Sequence, residues 1–230
     1  LNIFREPNLF DFTIFSGDNQ PFWSSFKIKP HIGKLMSKIT KEDKKFARDG
    51  LTLAKILYFL LMPFRPNLLK TYMAVDSFVE VPIEQLKIDG IKGILIDADG
   101  TLGPHHSSEF SYEVVEHINK MVNYGFKVAI YTNASEDRFH QFKGINVVTN
   151  VPPKPDKCGF EKAMKDFLDL DDSSVVCMIG DNFLTDGGAR LAGMHFIHIC
   201  PIKGDESFIH SFTRNIAFKV AQFYFPNSFP

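Results

Sequence analysis

Between Ile91 and Cys200 the chain repeats one unit, a short apolar run that stops abruptly at polar residues and gives way to a stretch of helical period. IKGILID ends on Asp97, KVAIYT on Thr132, INVV a few residues before Lys154, and SVVCMIGD on Asp181, while MHFIHIC closes the series. Unbroken apolar runs without alternation suit strands buried on both faces, and helices between them force the strands to lie parallel. The intervening segments support that. In EFSYEVVEHINKMVNYG, residues Val115, Ile118 and Val122 share a helical face and Gly125 stands just past the end. GFEKAMKDFLDL and FLTDGGARLAG read as helices, and Ser135 is placed to cap a short one. SFIHSFTRNIAFKVAQFYF reads as a last helix, whose phenylalanines (Phe208, Phe212, Phe218, Phe223, Phe225) are expected in the core.

Composition divides the chain. With 44% hydrophobic and 23% charged residues it is globular. The formal net charge of -1 gives no overall basic footprint for nucleic acid. Charge is uneven, however: from Lys27 to Lys55 nine basic residues (27, 29, 34, 38, 41, 44, 45, 48, 55) face three acids, Glu42, Asp43 and Asp49. The run 51–64, LTLAKILYFLLMPF, is too short for the roughly 20 residues that span a bilayer. Pro63 and Pro66 end any helix there. It reads equally as a helix packed on the domain or as one lying in a membrane interface behind its basic neighbour. Residues 1–69 are therefore taken as an aromatic, basic and apolar extension, and 70–230 as the domain proper. The three cysteines, Cys158, Cys177 and Cys200, are widely spaced, which fits a reducing compartment rather than a disulfide framework. Leu1 to Pro30 lacks a signal-peptide pattern.

The polar residues at the strand ends carry the chemistry. Ligands of open α/β sheets bind at the carboxyl edge, where this sequence places Asp97, Asp99, Thr132, Asn133, Lys154, Asp181 and Asp186. Carboxylates gathered so closely need a cation, and an all-oxygen set suits Mg²⁺. A metal with Lys154 and Thr132 would clamp a phosphoryl group. One carboxylate could then attack phosphorus while another protonates the leaving oxygen and later activates water.

The ordered set Asp97-Ala98-Asp99-Gly100-Thr101, Thr132 after an apolar strand, Lys154-Pro155, and Gly180-Asp181-Asn182-Phe183-Leu184-Thr185-Asp186 resembles the haloacid dehalogenase-like hydrolase superfamily. The resemblance implies a Rossmann-like three-layer α/β sandwich. It implies Asp97 as nucleophile, Asp99 as general acid/base, Thr132 and Asn133 on the phosphate, and Lys154 stabilising the phospho-intermediate. Asp97, Asp99 and Asp181 would attend Mg²⁺, with Asp186 behind them. The second Asp of the first motif favours phosphatases over dehalogenases. The intervals from Asp97 to Thr132 and from Thr132 to Lys154 leave no room for a large cap domain, so the site is expected to be open to large substrates. The stretch from Phe64-Arg65-Pro66 to the strand Gly90-Ile91-Lys92-Gly93-Ile94-Leu95-Ile96-Asp97 is similar to the capless phosphatidylglycerophosphate phosphatase branch.

The resulting expectation is a Mg²⁺-dependent phosphomonoesterase whose substrate is a membrane phospholipid, with peripheral membrane contact and no nucleic-acid partner. A phosphoprotein, sugar phosphate or nucleotide substrate, or a non-catalytic phosphate-binding module, are the alternatives. A cytoplasmic or other reducing location fits, and the mitochondrial matrix fits if a leader is removed. His105 and His106, after the nucleophile loop, read as solvated. His195 and His198, three apart in a strand, point to opposite faces. Cys158 has no task beside a complete carboxylate set.

Overall fold

Strand β2, Gly93–Ile96, is buried at every position, and its side chains explain the layering. Ile94 and Ile96 point to one face, where they meet Leu86, Val114, Ile118 and Met121; Leu95 points to the other, among Phe160, Met164, Ala189 and Ala217. Period-two alternation within an all-apolar strand thus serves two helical layers at once. The computed structural model describes residues 59–229 apart from 61, 134, 135 and 149. Expectations for the basic segment, for most of the 51–64 run and for Ser135 lie outside these residues.

Six parallel strands form the sheet: β1 Met73–Val75, β2, β3 Lys127–Ile130, β4 Asn146–Val147, β5 Val176–Gly180 and β6 His195–Ile199. Their order is β1-β6-β5-β2-β3-β4. From β2 the chain moves outward on one side to β3 and β4, then returns to build β5 and β6 on the other, where β1, earlier in the chain, pairs with β6 at the edge. The topological switch therefore lies between β2 and β5, where Ile96 is in register with Ile179. Such a switch opens a crevice at the carboxyl edge. Helices α1 Ile83–Ile88 and α2 Tyr112–Asn123 cover one face; α3 Lys157–Lys162, continued by a π turn over Ala163–Phe167, and α4 Phe208–Tyr224 cover the other. This is the three-layer α/β sandwich expected. Among the described residues the segment from Asp97 to Thr132 holds one loop, α2 and β3, with no cap domain.

Several details depart from the sequence reading. The buried face of α2 is Val114, His117, Ile118 and Met121, one residue round from the predicted stripe, and Val122 is exposed. The segment Asp186–Ala192 is a 3-10 helix. A Cβ at Gly188 would lie 2.6 Å from the Pro155 carbonyl oxygen, so the backbones approach too closely for an ordinary helical side chain. Strand β1 and helix α1 fall in residues 70–90, where the sequence shows no clear period. Met62 and Leu69 are buried in the same cluster as Phe196 and Ala217. The phenylalanines of the last helix divide: Phe218 and Phe225 pack on the core, whereas Phe208, Phe212 and Phe223 are exposed.

His198 illustrates how tightly the second layer is packed. It is sandwiched between the rings of Phe183 and Phe218, each 5.0 Å away between centroids, while His195 on the opposite face bonds the Ser174 carbonyl. Burial depresses the His198 pKa to about 4, against a weaker opposing contribution from the Asp181 backbone. An unfolded chain takes up this proton near the ordinary histidine value, so the buried neutral ring contributes stability that is complete above about pH 6.5 and declines as pH falls toward 4. His198→Phe should flatten the acid limb of the stability curve over that window relative to the native protein, as read by urea denaturation at pH 7.5, 6 and 4.5.

Candidate active site

Each candidate residue follows directly from a strand end. Asp97 continues β2, its amide donating to the Ile179 carbonyl of β5 at 2.9 Å. Asp181 follows Gly180 at the end of β5. Thr132 lies buried two residues beyond β3, after Tyr131, whose amide donates to the Ile96 carbonyl at 2.8 Å. Lys154 arrives from the loop between β4 and α3. That loop is held by Asn133: its Oδ1 accepts from the Lys154 amide at 3.1 Å, and its Nδ2 donates to the Lys154 carbonyl at 3.5 Å. Asn133 therefore positions the lysine.

At the centre the Lys154 ammonium lies 2.7 Å from Asp97 Oδ1 and 2.5 Å from Asp186 Oδ1. Only 2% of Lys154 is exposed, so this charge depends on its two partners. Burial alone would push its pKa down; Asp186 and Asp97 outweigh that and hold it above the ordinary lysine value. Asp186 is anchored again through Oδ2, which accepts from the Asn182 amide at 3.1 Å. Burial, and next the charge of Asp97, push the Asp186 carboxyl up to about 7, against the pull of Lys154. Burial also raises Asp181 well above the carboxylate range, reinforced by Asp186 and Asp97 and opposed by Arg214 and Lys154.

Oxygens of Asp97, Asp181 and Asp186 all lie within 4.8 Å of one another. Three buried carboxylates, with Lys154 and Arg214 as the two buried cations beside them among the described residues, make a site short of positive charge. Its all-oxygen donor set fits a hard divalent cation such as Mg²⁺. Glycines make the crowding feasible. A Cβ at Gly180 would lie 2.3 Å from Asp186 Oδ2, and one at Gly100, where φ is +82°, would lie 2.6 Å from Asp181 Oδ2. Asp99 stands apart from this group: its Oδ1 accepts from Arg138 Nη2 at 2.8 Å and from the His106 amide at 2.9 Å.

A family model described as mitochondrial PGP phosphatase matches residues 55–195. The chain belongs to the mitochondrial PGP phosphatase family. It is a phosphatase. Among curated proteins it is similar to Probable phosphatase YqeG of Bacillus subtilis (strain 168), with 32% identity over 158 residues, 65% of this chain and 90% of that protein. Among solved structures it is similar to an uncharacterized protein from Listeria monocytogenes serotype 4b, at 23% identity and a TM-score of 0.39, covering 51% of this chain and 85% of that one.

As a member of this family the chain carries a feature beyond the matched span. Arg214, in the buried stripe of α4, donates through Nη1 to Asp181 Oδ2 at 2.9 Å and through Nη2 to Glu206. Glu206 accepts in turn from His210 Nδ1 at 3.0 Å, and His210 Nε2 accepts from Asn182 Nδ2 at 3.2 Å. Since Asn182 follows Asp181 in the chain, these contacts close a ring between α4 and the loop after β5. His105 joins it, 3.5 Å from Glu206, rather than standing in solvent as its sequence position suggested. Sequence reasoning missed Arg138, Glu206 and Arg214. The available signal was an arginine set in one helical stripe with His210, Ala217 and Ala221.

Replacing Arg214 by Met leaves both Asp181 and Glu206 without their cation. Breaking such a buried pair from one side costs about 3–5 kcal/mol. Urea denaturation in chelator should show a loss of that order, whereas Lys219→Met, on the exposed side of the same helix, should change stability by less than about 0.5 kcal/mol.

Proposed function

We propose that this phosphatase hydrolyses the phosphomonoester of a membrane phospholipid, phosphatidylglycerophosphate, through an aspartyl-phosphate on Asp97 and with Mg²⁺. The observation that carries the chemistry is the buried Lys154 held between Asp97 and Asp186, with Asp181 within 4.8 Å, at the switch point of the sheet. Mg²⁺ held by Asp97, Asp181 and Asp186 would supply charge neutralisation for the phosphoryl oxygens.

The chain's own groups account for the rest. Lys154 neutralises the Asp97 carboxylate at rest and stands where it can bond a phosphoryl oxygen once that carboxylate is esterified. Thr132 and the Asn133-braced loop flank the same space. Asp97 attacks phosphorus, and the bond to the ester oxygen breaks as that oxygen takes a proton from Asp99. Both contacts of Asp99 to Arg138 and His106 fall on Oδ1, so Oδ2 is the oxygen assigned to the proton. In the second half Asp99 removes a proton from water, the water oxygen bonds phosphorus, and Asp97 is released with inorganic phosphate. Asp99 argues for turnover rather than passive phosphate binding, since binding needs no proton shuttle.

Support for the lipid comes from the family membership and from the uncapped edge, which leaves room for a substrate whose bulk stays in a bilayer. Asp97→Asn should abolish Mg²⁺-dependent phosphate release from phosphatidylglycerophosphate in mixed micelles and from an aryl phosphate alike. Asp99→Asn should lower lipid turnover by about 10²–10⁴-fold. It should impair aryl phosphate less, because a phenolate needs little protonation to leave. Release from the aryl ester but not the lipid by the native chain would overturn the lipid assignment. Equal loss on both esters in Asp99→Asn would overturn the acid role.

A further inference from the structure

Helix α4 presents aromatic side chains on the side that faces away from the domain, with the exposed Asn215, Lys219 and Gln222 among them. Its 17 residues extend roughly 25 Å. His210, Arg214, Ala217 and Ala221, spaced by four, three and four, form the stripe turned to the domain, where Arg214, Ala217 and Ala221 are buried. The opposite stripe, Phe208, Phe212, Lys219 and Phe223, follows spacings of four, seven and four. Along it Phe208 is 81%, Phe212 52% and Phe223 81% exposed, with Ile209 at 56% beside them. The Phe208 and Phe212 rings stack on each other, 5.9 Å between centroids, instead of on the core.

Two properties select what covers this stripe. The helix contains no acidic residue, and the outward stripe carries one charge, that of Lys219. An aromatic face with cationic and no anionic character suits an anionic lipid surface. The stripe is also continuous with the site, because the same helix turns Arg214 onto Asp181 and His210 onto Asn182. The first turn of α4 thus rises from the carboxyl edge of the sheet. Among the other exposed apolar side chains, Ile88 and Tyr124 sit at the C-terminal ends of α1 and α2, toward the opposite edge, while Leu60 and Phe64 precede β1 and Tyr112 opens α2.

We infer that the outward face of α4, centred on Phe208 and Phe212, docks this phosphatase on an anionic bilayer with the acid cluster turned to the lipid headgroups. This rests on the lipid reading above. The helix lies in the interface plane, its aromatic rings among the headgroups and upper acyl chains, Lys219 bonding lipid phosphate.

The test uses the full chain and vesicles of phosphatidylcholine with phosphatidylglycerol. The triple variant Phe208→Gln, Phe212→Gln, Phe223→Gln keeps helix-compatible side chains at exposed positions, and Ile88→Gln is the control. The triple variant should lose at least about tenfold in vesicle co-sedimentation and a similar factor in hydrolysis of vesicle-borne phosphatidylglycerophosphate. Its aryl phosphatase rate and circular dichroism should match the native chain, and Ile88→Gln should behave as native throughout. Native-level vesicle binding and lipid turnover by the triple variant would overturn the docking face while leaving the lipid reading intact. A native chain that cleaves aryl phosphate but neither binds vesicles nor cleaves the lipid would remove the underlying reading itself. A native dimer that the triple variant converts to monomer, with vesicle binding unchanged, would reassign the face to contact between copies of the chain.

Discussion

A lysine ammonium buried to 2% exposure persists only where anions surround it, and Lys154 dictates much of what lies around it. Asp97 and Asp186 must both reach it, which fixes the separation of the loops after β2 and β5. Asp186 reaches inward because Gly180 has no side chain in its path, and Gly188 lets the 3-10 segment press against Pro155 beside the lysine. Asn133 grips the lysine backbone from the end of β3. Four separate chain segments thus converge on one cation, and the parallel sheet is the frame that brings them to one edge.

The electrostatics of this arrangement are unfavourable in part. Three buried carboxylates with two cations leave an excess of negative charge, seen in the raised proton affinities of Asp181 and Asp186. A divalent cation and a phosphate dianion, arriving together, would change that balance by zero overall while placing charges of opposite sign where the cluster needs them. The same logic explains Arg214. A carboxylate as enclosed as Asp181 needs a permanent partner, and the last helix supplies it.

Much of this was legible in the sequence because the strand ends are marked. Runs such as GILI followed by Asp97, or VCMIG followed by Asp181, state both the element and the edge where polar side chains gather. Lys154, Thr132 and Asp186 followed from the same rule. The features that escaped depend on long-range packing. Strand β1 is a short edge strand paired with β6, far away in sequence, so nothing local marks it. The face of α2 was misjudged by one residue because Val114 and Val115 are interchangeable in pattern, and only contact with the sheet chooses between them. Glu206 and Arg214 belong to a segment whose composition announces a helix but not a second contact with the site. The expected burial of all its phenylalanines failed because apolar residues circle the entire helix, while the domain offers cover on one side only.

The ring from Asp181 through Arg214, Glu206 and His210 to Asn182 also ties distant parts of the chain together. One half comes from the loop after β5, the other from Glu206 and the first two turns of α4. Lifting α4 from the sheet would strip Asp181 of its arginine, so fraying of this helix and the charge balance of the acidic edge are coupled.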